Sequence, residues 1–230
     1  MEFILREWRP EDAESVALYA NNYKIARNLR DSFPFPYTVD HARWFIESCL
    51  KADAGQWSRA IVVGGEAVGS ISITAHGDVY RKSAELGYWL GEPFWGREIM
   101  PRAIQELCAQ AFLQLRLERI DAEVFGSNLA SARALEKAGF QLEGILRNRI
   151  FKNGVLQNAR LYALLREEAE ALLDTALELG CNFFDHADIY GQGACESRFA
   201  QAIHMSPSVR EKIILQFRRF SGKSEIPGTQ

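Results

Sequence analysis

Little in this sequence points to disulfide or metal chemistry. Its 230 residues include only four cysteines and four histidines. Cys49, Cys108, Cys181 and Cys195 lie far apart, with no CxxC pair and no histidine at ligand spacing. That pattern argues against a disulfide framework and against a zinc site, and it leads us to expect reduced thiols in a cytoplasmic protein. Long apolar runs are missing too: none approaches the ~18 residues that a membrane span requires. The opening "MEFILREW" is a short apolar run broken by charge, which fits neither a signal peptide nor a membrane helix. Charge of one sign is also scarce. A formal net charge of -3 gives no support to nucleic acid or another polyion as a partner. No repeat and no low-complexity tract interrupts the chain.

What is present is a normal globular mixture, 47% hydrophobic and 25% charged, able to bury a sizeable core. The length suits one large domain, or one domain with an appendage. "FILREW" alternates as a strand, and "RPEDAESVALYANN" begins a helix, with Pro10 in its first turn and Glu11 and Asp12 at its positive end. "SFPFPYT" is held extended by its prolines, and Thr38 is placed to cap the amphipathic helix "VDHARWFIESCL". "RAIVV" and "VGSISITA" flank "GGEA" as a hairpin. The strand "AELGYWLG", a long helix from "REIMPRAI", the strand "LERIDAEVF" and the helix "NLASARALEKAGF" follow, the last stopped by Gly139. A closing hairpin turns at Asn153-Gly154. This order predicts a mixed α+β layer.

After Leu165 the rhythm changes to helix, strand, helix, strand: "REEAEALLDTALELG", "CNFFDHA", "ACESRFAQAIH", "EKIILQF". We expect a domain over residues 1–167, an α/β appendage over 168–217, and a disordered tail over 218–230, where apolar periodicity stops.

The chemistry of the first domain centres on "ELGYWLGEPFWGREIMPRAI", in which a strand, a loop containing Gly96 and a long helix follow one another. A helix N-terminus offers unpaired amides to phosphate, and glycine lets the backbone approach closely. About thirty residues on lies N-x-x-S-x-x-x-L-x-K-x-G-F, from Asn128 to Phe140. With "LREWRPEDAESVALYANN" and "FPFPYT", these stretches resemble the GNAT acetyltransferase superfamily, in particular the ribosomal-protein N-terminal acetyltransferases. The resemblance spans residues 1 to about 165. It implies a mostly antiparallel sheet flanked by helices, whose splayed central strands admit acetyl-CoA as cosubstrate. It also implies transfer to a primary amine, either a protein N-terminus or a small amine.

Carried onto this chain, the resemblance puts the backbone of Trp89 and Leu90 against pantetheine, and the amides of Gly96, Arg97, Glu98 and Ile99 against pyrophosphate, with Arg97 adding charge. Glu98 stands where the family prefers a second small residue, which is tolerable only if its carboxylate turns away. Asn128 and Ser131 occupy the positions that face the pantetheine arm and thioester, with Ser131 expected to protonate the thiolate. Their plainer alternatives are an N-cap and a surface turn. Leu135 stands where many members carry a proton-donating tyrosine. Glu85 is the candidate general base, its alternative being a paired strand-end carboxylate. Cys108 is expected in the core rather than as a nucleophile, and His41 and His76 have no recognisable partner. "FPFPYT" and Trp44 either line the acceptor entrance or pin a loop to the core. An acyl-CoA-binding pseudoenzyme without turnover is the competing expectation.

The later segment "NFFDHADIYGQGACE" resembles an aldo-keto reductase active site, with Asp185 and Tyr190 at the family spacing. The resemblance requires a lysine near position 218, where this chain has Arg218, whose pKa is too high for a proton relay. Two parallel strands cannot close a barrel that needs eight. No NADPH-dependent reductase activity is therefore expected. The apolar "CNFF" and "IILQF" strands would pack on the first domain, pair with a second subunit as a homodimer, or lower solubility.

Overall fold

The structure, a computed structural model, describes residues 1–52, 55–169 and 171 together with the backbone of two later strands. The chain divides into two compact units, Met1–Ala169 and Glu170–Gln230.

The first unit is built on a sheet of seven strands in the order β1-β2-β3-β4-β5-β7-β6. These are β1 (Ile4–Arg6), β2 (Gln56–Val63), β3 (Glu66–Ala75), β4 (Ser83–Leu90), β5 (Arg119–Phe125), β6 (Gln141–Lys152) and β7 (Val155–Leu165). Every neighbouring pair is antiparallel except β4 and β5, which run parallel. A parallel pair needs a crossover. Here it is α4 (Ile99–Leu115), whose buried Ile104, Leu107 and Cys108 pack with Ile71, Ile73 and Ile120 of the sheet. The helix α5 (Leu129–Lys137) joins the same core through Ala132 and Leu135. On the opposite face α1 (Ala13–Ala20) and α3 (Val39–Leu50) set Val16, Ala20, Ala42 and Ile46 against Ala60, Val62 and Ala67. Truncating one of the fully buried leucines or isoleucines among these to alanine costs about 2–5 kcal/mol.

Local chemistry explains where elements start and stop. Thr38 caps α3 by accepting from the His41 amide at 3.3 Å, while His41 Nδ1 accepts from the Thr38 amide at 3.1 Å. His41 thus has a partner that the sequence did not reveal. At Asn153-Gly154 both φ angles are positive, 51° and 78°, as a tight two-residue hairpin demands. The helix expected from "RPEDAESVALYANN" is shorter than that stretch. Pro10–Asp12 forms a single 3-10 turn, and α1 ends at Ala20, after which the Asn22 side chain caps α2 (Tyr23–Ala26). The turn is fixed by Arg6, whose guanidinium donates to both oxygens of the buried Asp12 at 2.7 Å each.

In the second unit β8 (Phe183–Ala187) runs parallel to β9 (Ile214–Arg218), with Asp185 in register with Gln216 and Ala187 with Arg218. Residues 166–169, where the first appendage helix is expected to begin, are helical. Most of the rest of that helix, the helix "ACESRFAQAIH", Tyr190 and residues 219–230 of the expected disordered tail lie outside the described residues; Arg218, expected to open that tail, is instead the last residue of β9. No helix among the described residues is long and apolar enough to cross a membrane.

A candidate active site where two parallel strands part

β4 and β5 pair at only three positions, Ser83 with Arg119, Ala84 with Ile120 and Glu85 with Asp121. Beyond that point β4 stays paired to β3 as far as Leu90, and β5 to β7 as far as Phe125. Leu86–Leu90 and Ala122–Phe125 therefore border a gap that neither strand fills.

Pairing parity decides which backbone groups face this gap. In an antiparallel ladder, alternate residues send both their N–H and C=O to the same neighbour. The Gly91 amide donates to Val68 O at 2.8 Å and the His76 amide to Ser83 O at 3.0 Å. Counting inward from either end, Glu85, Gly87 and Trp89 face β3, and Leu86, Tyr88 and Leu90 face the gap. Consistently, Trp89 O lies 2.6 Å from where a side chain on Gly69 of β3 would begin. The expectation for Trp89 is thereby corrected: its backbone is spent on β3, and Tyr88 takes its place. The Leu90 carbonyl accepts from the Trp95 indole at 2.7 Å, which leaves the Leu90 amide for the gap.

The loop after β4 reaches α4 through two left-handed residues, Gly96 at φ 69° and Glu98 at φ 58°. Gly96 suits that conformation, whereas Glu98 adopts it at some cost. Among the described residues, no carbonyl accepts from the amides of Gly96, Arg97 or Glu98. These amides and that of Ile99 form the N-terminal cradle of α4. Glu98 resolves its own difficulty, because its Oε1 accepts from Lys137 Nζ of α5 at 2.6 Å. Arg97 is exposed beside Met1, with Nη1 3.8 Å from the thioether sulfur.

The two faces of the gap differ in chemistry. Toward α5, Tyr88 brings its hydroxyl to 2.6 Å from Ser131 Oγ. Burial pushes the Tyr88 hydroxyl above the usual tyrosine range, against the lowering effect of the Ser131 bond. Asn128 is the N-cap of α5 and accepts from the Ser131 amide at 3.3 Å. Leu135 is fully buried, and Cys108, 1% exposed, has its thiol pushed up by burial. Sequence reasoning did not single out Tyr88 as a side-chain participant. The available signal is spacing: two residues from Leu86 and two from Leu90, it lies on the same face of β4 as those core residues.

On the other face lie carboxylates. Glu85 is ion-paired with Arg30, which is itself largely exposed. Asp121, in register with Glu85, has His76 Nε2 at 4.0 Å and Arg119 Nε at 3.5 Å. Burial raises the Asp121 carboxyl above its ordinary value, and Arg119 and His76 offset this only in part. His76 therefore also has a partner. Phe33 packs at a tilt against Tyr37 at 4.9 Å and edge-on against Trp89 at 6.1 Å, so this part of "FPFPYT" is fixed to the second core. Tyr37 is buried and its hydroxyl is pushed up to about 12. Phe35 remains half exposed against Tyr23, and Trp44 is exposed on α3.

The sequence matches the family described as Acetyltransferase (GNAT) domain over residues 2–141. The chain belongs to the GNAT acetyltransferase family. It is similar to "Uncharacterized N-acetyltransferase p20" of Bacillus licheniformis, with 30% identity over 71% of this chain and 93% of that protein. It is also similar to the ribosomal-protein-serine acetyltransferase of Escherichia coli, with 34% identity over 36% of this chain and 46% of that protein. Its fold superposes on the microcin C7 self-immunity acetyltransferase MccE, solved with acetyl-CoA and AMP. That match has a TM-score of 0.64 and 25% identity, over 71% of this chain and 92% of the other. The protein is an acetyl-CoA-dependent N-acetyltransferase. A second match, to the Aldo/keto reductase family, covers residues 156–226. It begins inside β7, a strand that the acetyltransferase sheet already uses.

Proposed function

We propose that this GNAT acetyltransferase passes the acetyl group directly from acetyl-CoA to a primary amine, either a protein N-terminus or a small amine. The parting of β4 and β5 after Glu85 and Asp121 carries this reading. An amide-bearing arm completes such an edge as an added strand does, hydrogen bonding to the exposed backbone. The gap-facing amides of Tyr88 and Leu90 supply donors for that arm and for the oxyanion that forms on the acetyl carbonyl. Pyrophosphate fits the cradle of Gly96, Arg97, Glu98 and Ile99 at the start of α4, and the Glu98–Lys137 pair removes the one carboxylate that would oppose it.

On the carboxylate face, Glu85 is the general base. Its Arg30 partner is an exposed cation, so an incoming ammonium can replace the guanidinium and then lose its proton to Glu85 or a water on it. An α-amino group, with a pKa of about 7.7–8.0, needs little help to become neutral. Cys108 is enclosed in the core and offers no covalent detour.

The test is a titration of CoA by calorimetry together with thiol release from acetyl-CoA across peptide N-termini, polyamines and amino acids. It is run on the full chain and on a version ending at Ala169. CoA binding with turnover on at least one amine class, equal for both lengths, is the expected result. Binding without turnover on every class would reduce the protein to an acyl-CoA-binding module.

A further inference from the structure

Tyr88 and Ser131 meet on the α5 side of the gap, and the direction of their hydrogen bond matters for the chemistry. The Tyr88 hydroxyl lies 2.6 Å from Ser131 Oγ and 3.3 Å from the Ser131 carbonyl oxygen. Each hydroxyl owns one proton to donate. If serine donates to the phenol, the pair consumes the serine proton internally. If the phenol donates to Ser131 Oγ, the serine proton stays free for a third group. The turn itself is anchored, because the Ser131 amide already donates to Asn128 Oδ1. Ser131 is only partly buried, so its hydroxyl can reach a ligand, while Tyr88 is held by β4.

We propose that Tyr88 is a positioning residue: it donates to Ser131 Oγ and so keeps the Ser131 proton aimed at the sulfur that leaves the acetyl-CoA thioester. This rests on the acetyl-transfer reading above. In the step, the amine nitrogen forms a bond to the acetyl carbon, the carbon–sulfur bond breaks, and its electron pair stays on sulfur. Glu85 first passes the proton it took from the ammonium to solvent through its water, and then takes the surplus proton of the amine. The thiolate, held by the Ser131 O–H, then takes up a proton from solvent, so protons balance. Neither hydroxyl ionises. A thiol titrates near ~8.5, whereas burial pushes Tyr88 far above that and keeps it neutral. The pair thus acts as a hydrogen-bond donor rather than a proton source, which refines the role expected of Ser131. Cys108 and Tyr162 are the other titratable groups whose charge Tyr88 would feel. Both are shifted upward, so neither charges the site.

The test compares wild type with Tyr88→Phe, Ser131→Ala and the double variant. It reads kcat, KM for acetyl-CoA, and the pH dependence of alkylation of enzyme-bound CoA by iodoacetamide. Tyr88→Phe keeps the buried ring, and a thermal melt checks that it does. The expected result is a kcat about tenfold lower with KM within about twofold, and a double variant no worse than Ser131→Ala. The bound thiol should also titrate at higher pH in both single variants than in wild type. Unchanged kcat in Tyr88→Phe, a double variant equal to the product of the singles, or an unshifted thiol titration would overturn the inference alone. Absence of CoA binding by wild type would instead sink the acetyl-transfer reading, and this inference with it.

Discussion

Glu98 in the first unit and Arg218 in the second each stand where a family pattern favours another residue, and for Glu98 the described residues show what answers its charge. Glu98 stands in the phosphate cradle, yet Lys137 arrives from a separate helix 39 residues away and takes up its carboxylate. Arg218 stands where a reductase needs lysine, at the last residue of β9, in register with Ala187. The second unit shows two parallel strands among its described residues, where the barrel needs eight. A misfit is harmless when the rest of the fold can answer it. Sequence similarity alone does not distinguish the two cases, because both units match a family.

The sharpest way to break this comparison is to remove one carboxylate from each unit. Glu85→Gln should lower kcat for acetyl transfer by about a hundredfold, because the amide cannot accept the amine proton. Asp185→Asn should leave that rate unchanged. Thiol-release kinetics on both variants check this, and a loss of acetyl transfer in Asp185→Asn would mean that the second unit takes part in the reaction.

The fold was largely legible, for reasons that stay local. The Thr38 cap, the Asn153-Gly154 turn and the stop at Gly139 are decided by a few neighbouring residues. The site was legible in outline and illegible in its partners. Arg30 meets Glu85 across 55 positions, and no periodicity announces it. The assignment of Trp89 to the gap failed because strand alternation fixes where side chains point. Which neighbour the backbone faces depends on register with β3, and the Gly91–Val68 bond sets it. The break between α1 and α2 was not read from the sequence, although the two asparagines of "YANN" stand where the helix stops. Asn22 ends it by offering its side chain to the Lys24 amide at 2.9 Å.

An effect on stability rather than rate, confined to the first unit, comes from Asp12. Burial opposes its charge, but the Arg6 bonds and the Arg9 amide win and hold its carboxyl below the ordinary value. A depressed carboxyl contributes stability that is present above its unfolded pKa, near ~3.9, and lost as pH falls through the folded value. Asp12→Asn should therefore destabilise the first unit by about 3 kcal/mol at neutral pH, because it strands the buried Arg6 charge. It should also flatten the acid limb of the stability curve below about pH 4. Denaturant melts read by tryptophan fluorescence at pH 7 and pH 3 measure both. An unchanged acid limb would show that Asp12 does not govern it.

The smallest expected effect sharpens the comparison most. Lys137→Ala leaves the Glu98 carboxylate without its ion pair beside the amides of Gly96 and Arg97. Both partners are more than half exposed, so the pair contributes little to stability, and the melt should barely move. The effect belongs in binding: KM for acetyl-CoA should rise about threefold, with kcat unchanged, as a negative charge returns to face pyrophosphate. Exposed charges are screened within about 10 Å at 0.1 M salt, so added salt should shrink the difference. Glu98→Gly should abolish the sensitivity altogether, since the left-handed φ of 58° suits glycine and no carboxylate remains. If Lys137→Ala bound acetyl-CoA as well as wild type at low salt, Glu98 would need no answer from α5. Its contrast with Arg218 would then rest on barrel closure alone.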